Sequence, residues 1–104
     1  MNELEKIISE DEETIIKDIE NTLEEKSNVL IYYKSNKDDL WNVKGFDKYK
    51  KLSIKNDFVK IKFEEHEFDF NYKTSKFKIF NDSILIEKYY NYKTIEEKRL
   101  YLLE

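Results

Sequence analysis

Cysteine is absent from this 104-residue chain, which removes disulfides, thiolate metal sites and a thiol nucleophile together. Alanine and proline are absent as well, Gly45 is the only glycine, Arg99 the only arginine and His66 the only histidine. A hydrolytic triad would have only His66 to supply its base. No glycine-rich phosphate loop, nucleophile elbow or paired metal-ligand spacing is present. The expectation is therefore a protein that is not an enzyme and that uses no metal or cofactor. Long apolar runs are missing too: the longest, Val29 to Tyr33, is far short of the roughly 20 residues that span a bilayer. The segment Met1 to Lys6 is acidic where an export signal opens with basic residues. A cytoplasmic location without a membrane partner is expected.

What remains is 39% apolar, 40% charged and 15% aromatic, and the apolar residues are large ones. Disordered chains lack that aromatic and β-branched content, so a folded core is expected. The length fits a single domain over residues 1–104. Abundant Ile, Lys, Asn, Tyr, Phe and Glu without alanine reads as AT-rich coding, so lysine abundance alone argues little about function.

Leu4, Ile7, Ile8, Ile15, Ile16, Ile19 and Leu23 recur at helical spacing, predicting an amphipathic N-terminal helix. Ser9 with Glu12 is a capping-box pattern at which that helix can restart. From Asn28 the period changes to two. Val29 to Lys34 and Leu40 to Phe46 read as a hairpin across Ser35 to Asp39, and Leu52 to Lys55 as a further strand. Val59, Ile61 and Phe63 are apolar at odd positions, whereas His66, Phe68, Phe70 and Tyr72 continue at even ones. That change of phase predicts a turn at Glu64-Glu65 that sets Val59 opposite Phe70, Lys60 opposite Asp69, Ile61 opposite Phe68 and Lys62 opposite Glu67. A turn at Asp82-Ser83 would set Ile79 opposite Ile86 and Lys78 opposite Glu87. Thr94 with Glu97 repeats the capping-box pattern and predicts a short helix carrying Ile95, Leu100, Leu102 and Leu103. The expected fold is α+β: an N-terminal amphipathic helix packed on a curved antiparallel meander of about five or six strands, with a short C-terminal helix.

His66 lies among carboxylates in the stretch Glu64 to Asp69, but alternation turns it to the side of Phe68 and Phe70 and away from Glu65, Glu67 and Asp69. A half-buried histidine at a hairpin end is expected there. Charge is uneven: residues 1–26 carry ten acidic and three basic side chains, and residues 27–63 carry four acidic and nine basic. The acidic helix, with Glu12, Glu13, Asp18 and Glu20, is a candidate surface for a larger protein partner, such as a basic nucleic-acid-binding protein. Eight tyrosines exceed what a core of this size buries with every hydroxyl satisfied, so Trp41, Tyr49, Tyr89, Tyr90 and Tyr92 are candidates for a contact patch. Lys48, Lys50 and Lys51, interleaved with aromatics, would serve nucleic acid instead. The expected function is a small acidic protein-binding module that inhibits or neutralises a larger protein by surface occupation. Inhibitors, immunity proteins, antitoxins and phage anti-defence proteins of the anti-CRISPR kind act in this way. The alternatives are a nucleic-acid-binding accessory protein using a lysine-aromatic sheet face, and a self-associating subunit that pairs through an exposed strand edge at Tyr89 to Tyr92.

Overall fold

Ile15, Ile16, Ile19 and Leu23 are spaced so that one stripe of a helix buries them, and all four are buried in the computed structural model. The structure describes residues 6–7, 12–35 and 40–103, with side chains over 14–35 and 40–103. Chain order runs β1 (Lys6–Ile7), α1 (Glu12–Glu25), β2 (Asn28–Ser35), β3 (Asn42–Lys55), β4 (Phe58–Phe63), β5 (Glu67–Asn71), β6 (Ser75–Ile79), β7 (Ser83–Tyr90) and β8 (Lys93–Leu102). Ser9 and its capping box lie outside the described residues. Lys6 and Ile7 pair with Ile79 and Lys78, so the first helix begins later than the apolar stripe suggested.

All strands form one antiparallel sheet in the order β1-β6-β7-β8-β2-β3-β4-β5. Strands β5 and β6 are joined only by Tyr72 to Thr74, yet β5 ends that order on one side and β6 stands next to its other end, beside the two-residue β1. A flat sheet cannot satisfy both facts. It curls into a half-barrel, and Phe70 of β5 meets Phe77 of β6 with ring centroids 6.1 Å apart. At about 4.8 Å per strand a flat sheet of this width would be a broad slab, whereas the molecule measures 35 × 33 × 31 Å. The concave face and α1 share one core: the four helix residues, Val29, Ile31, Tyr49, Val59, Ile61, Phe63, Phe70, Phe77, Ile84, Ile86 and Leu100.

Two irregularities bend β3. Gly45, at φ +116°, lies opposite Ile31 just before the β2–β3 register shifts, and a second shift falls between Tyr49 and Lys51. The first half of β3 thereby pairs with β2 and the second with β4.

The predicted C-terminal helix is not formed, and the fold is mostly β rather than α+β. Residues 93–102 are β8, hydrogen-bonded to β7 on one side and β2 on the other. Glu96 to Arg99 favour helix locally, but a strand slot between two neighbours satisfies every ladder hydrogen bond and buries Leu100 completely. The expected break between Lys48 and Leu52 is likewise a bulge within one 14-residue strand. The β4–β5 hairpin forms in the register read from the phase change, with Val59, Lys60, Ile61 and Lys62 opposite Phe70, Asp69, Phe68 and Glu67. The β6–β7 register is displaced by two residues. Ile79 faces Ile84 and Phe77 faces Ile86, because Ser83 belongs to the β7 ladder opposite Tyr101 and the turn is Phe80 to Asp82.

Candidate interaction surface

Strands that bury Val29, Ile31, Ile84, Ile86 and Leu100 on the concave side must turn their alternate residues to the convex side. Across β3, β2, β8 and β7, the ladder aligns Phe46, Leu30, Tyr101 and Ser83 in one row, and Val43, Tyr32, Arg99 and Leu85 in the next. The solvent face of an antiparallel sheet normally alternates to polar side chains. Here the two adjacent rows hold three aromatic and three aliphatic side chains beside Ser83 and Arg99; Ser83 and Leu85 of β7 are buried, so the exposed part runs over β3, β2 and β8. Phe46 is 72% exposed and Val43 59% exposed.

The centre of this stripe is braced. The Arg99 guanidinium stacks between Phe80 and Tyr101, at 5.0 and 5.8 Å from their centroids, and donates to the Ser83 hydroxyl at 3.1 Å. Tyr32 meets Tyr101 edge-on at 5.3 Å. Beyond the two apolar rows lies a charged one, in which Lys34 faces Glu97, Glu97 faces Glu87 and Glu87 faces Lys76. An apolar and aromatic centre with one arginine, bordered by charge, has the composition of a protein-binding surface.

The concave side is closed by α1 at one end and by aromatic rings at the other. Lys98 points inward, with its ammonium 5.1, 5.3 and 5.4 Å from the centroids of Tyr33, Phe68 and Phe70, and it donates to Glu96 at 3.3 Å. These rings give an interior cation the partners it needs. Nearby, Asp47 is nearly buried and accepts from the amides of Lys48 and Glu65, while its Oδ2 lies 2.6 Å from His66 Nδ1. Burial pushes the Asp47 carboxyl up, but the His66 hydrogen bond and the two amides outweigh it and hold the group below its ordinary value. Asp47 thereby pins the Glu64-Glu65 turn to β3. No group of residues suited to a metal ion exists among the described residues, and among them no helix is long and apolar enough to cross a membrane.

The structure separates the residues singled out in the sequence. Glu12 and Glu13 open α1, but their side chains lie outside the described ones. Asp18 and Glu20 are half-buried on α1, and Glu20 pairs with Lys17. This helix packs on the concave side, so the acidic surface and the convex stripe occupy different sides of the sheet. Trp41 is half-buried just before β3. Tyr49 is in the core, which removes it from any exposed patch. Burial raises its phenol above the ordinary value, with the charges of Glu20 and Glu24 adding to the effect. Lys48, Lys50 and Lys51 are exposed, with Lys50 paired to Glu64 and Lys51 directly opposite Lys62. Tyr89 and Tyr90 belong to β7 and pair with Thr94 and Lys93 of β8, whereas the β6 ladder ends at Lys88 and only the Tyr89 amide reaches back, donating to the Thr74 carbonyl. Burial, followed by the charge of Glu87, raises the Tyr89 phenol. Sequence reasoning missed Phe46, Leu30, Arg99 and Tyr101 as one surface. Their common face depends on strand order, and Arg99 and Tyr101 were assigned to a helix. Comparisons with protein-family models, curated proteins and solved structures found no match to this chain.

Proposed function

We propose that this protein is a cytoplasmic binding module that inhibits or neutralises a larger protein by covering part of its surface, with the convex stripe as its contact face. The observation that carries the reading is the double row of Phe46, Leu30 and Tyr101 beside Val43 and Tyr32, with Arg99 set among them, on the outside of the sheet. Exposed contiguous apolar faces bordered by charge mark protein contacts far more often than they occur idly on a monomer. The acidic surface of α1 is placed to add long-range attraction for a basic partner rather than to supply the buried centre.

The test uses a photo-crosslinking amino acid at position 46 and, as a control, at position 62 on the lysine face, in the native host's lysate. The reading expects one discrete protein adduct from position 46 that is absent from position 62. It also expects a Val43→Asp, Phe46→Asp variant to bind the purified partner at least about 30-fold more weakly, as loss of an interface anchor does. Both positions are exposed, so folding should be unchanged. Adducts from both positions alike, or an adduct only with a second copy of the chain, would sink the proposal.

A further inference from the structure

Three turns meet at one end of the half-barrel. The Tyr72 amide donates to Asp57 of the β3–β4 turn at 3.0 Å, and the Tyr89 amide donates to Thr74 of the β5–β6 turn at 2.8 Å. This joins the β3–β4, β5–β6 and β7–β8 turns into one rim. Among the described residues the three non-glycine ones with positive φ, Asn56, Asn91 and Tyr92, all lie there.

The β7–β8 turn is the informative one. Tyr90 pairs with Lys93, leaving Asn91 and Tyr92 as a two-residue loop with φ of 52° and 63°. Such a loop favours Asn-Gly, because both central residues must be left-handed. Here a tyrosine takes the glycine position, a strained choice for a bulky side chain, and its ring is fully exposed. Strain kept where no packing requires it points to a use for the ring. Tyr92 borders a cleft of about 500 Å³ with Lys73, Thr74, Lys76, Tyr89 and Asn91. A second depression of about 400 Å³, at the β3–β4 turn, is lined by Ser53, Lys55, Asn56, Phe58, Lys60 and Asp69. Phe58 is 53% exposed and Tyr90 67%. Lys73 pairs with Asp57 and Lys60 with Glu67, whereas Lys55, Lys76, Lys88 and Lys93 form no ion pair among the described residues.

Exposed rings and lysines gathered along one rim are what an unpaired strand needs, since bases stack on the rings and phosphates meet the ammoniums. We infer that this rim binds single-stranded nucleic acid, with Tyr92 and Phe58 as stacking platforms and Lys55, Lys73 and Lys76 along the backbone path. The inference does not rest on the convex stripe. It also relocates the nucleic-acid surface away from Lys48, Lys50 and Lys51, which lie elsewhere on β3.

Fluorescence anisotropy with a labelled oligothymidylate of about 20 nucleotides, longer than a typical single-fold site, tests it over a salt series. The expected result is binding that weakens with salt, is about 10-fold weaker in Tyr92→Gly and in Phe58→Ala, and is lost in Lys73→Glu, Lys76→Glu. The slope of log affinity against log salt should fall by about 0.7 for each lysine neutralised. Tyr92→Gly relieves the turn, so its melting temperature should be no lower than that of the parent and weakened binding cannot be ascribed to misfolding. Lys48→Gln, Lys50→Gln should leave affinity unchanged. No binding at low salt, equal affinity for a blunt duplex, an unaffected Tyr92→Gly, or equal losses in the Lys48, Lys50 control would each overturn the proposal.

Discussion

Asp47 shows how one side chain can decide a local structure. Its carboxylate is the common acceptor for the Lys48 and Glu65 amides and for His66, and replacing it leaves those donors at a nearly buried site. Its folded-state value lies below the unfolded one, so the stability it contributes is complete above the unfolded value of about 3.9. That stability is lost as pH falls through the folded value. Asp47→Asn should therefore cost about 2 kcal/mol at pH near 7, and the gap from the parent should be narrower at pH near 2. Urea denaturation at the two pH values measures both. The histidine's place was legible in the sequence, since parity alone put it beside Phe68, on which it stacks at 6.2 Å. Its partner was not legible, because Asp47 lies 19 residues away across a bend.

At the scale of the element, the long bent strand β3 depends on its single glycine. A side chain at position 45 would meet nothing within 4 Å, so the cost of Gly45→Ala comes from backbone conformation alone. A φ of +116° disfavours L-residues, and the expected loss is about 1 to 3 kcal/mol without a change in the core. Denaturation midpoints would reveal it, and an unchanged midpoint would show that the bend does not need glycine. Helix α1 and the β4–β5 hairpin were readable because each declares itself over a short span, through a helical stripe or a switch of phase. Strand β8 was not readable. Its inward positions include Lys98 as well as Leu100, so the alternation is broken by a cation that Glu96 and the rings of β2 and β5 make tolerable. The convex stripe was hidden for the same reason, since adjacency of β8 to β2 joins residues about 70 apart.

For the molecule as a whole, that β2–β8 pairing unites the first and last major strands, so the β2–β5 and β6–β7 parts of the sheet join only when the C-terminal strand docks. Native-state hydrogen exchange should find the amides of Ile31 and Leu100 among the slowest, opening only with global unfolding, and those of β5 among the faster. A C-terminal helix packed on the outside would give the opposite order, with residues 93–102 exchanging early.

The link from Tyr72 to Thr74 carries a different consequence. Where most barrels are sealed by a last ladder of hydrogen bonds, the seam between β5 and β6 is stitched at one end by peptide bonds. Phe70 and Phe77 meet across that seam near the turn, and at its far end the free side of β6 is taken by Lys6 and Ile7 of β1, so side chains and a short strand close what no β5–β6 ladder does.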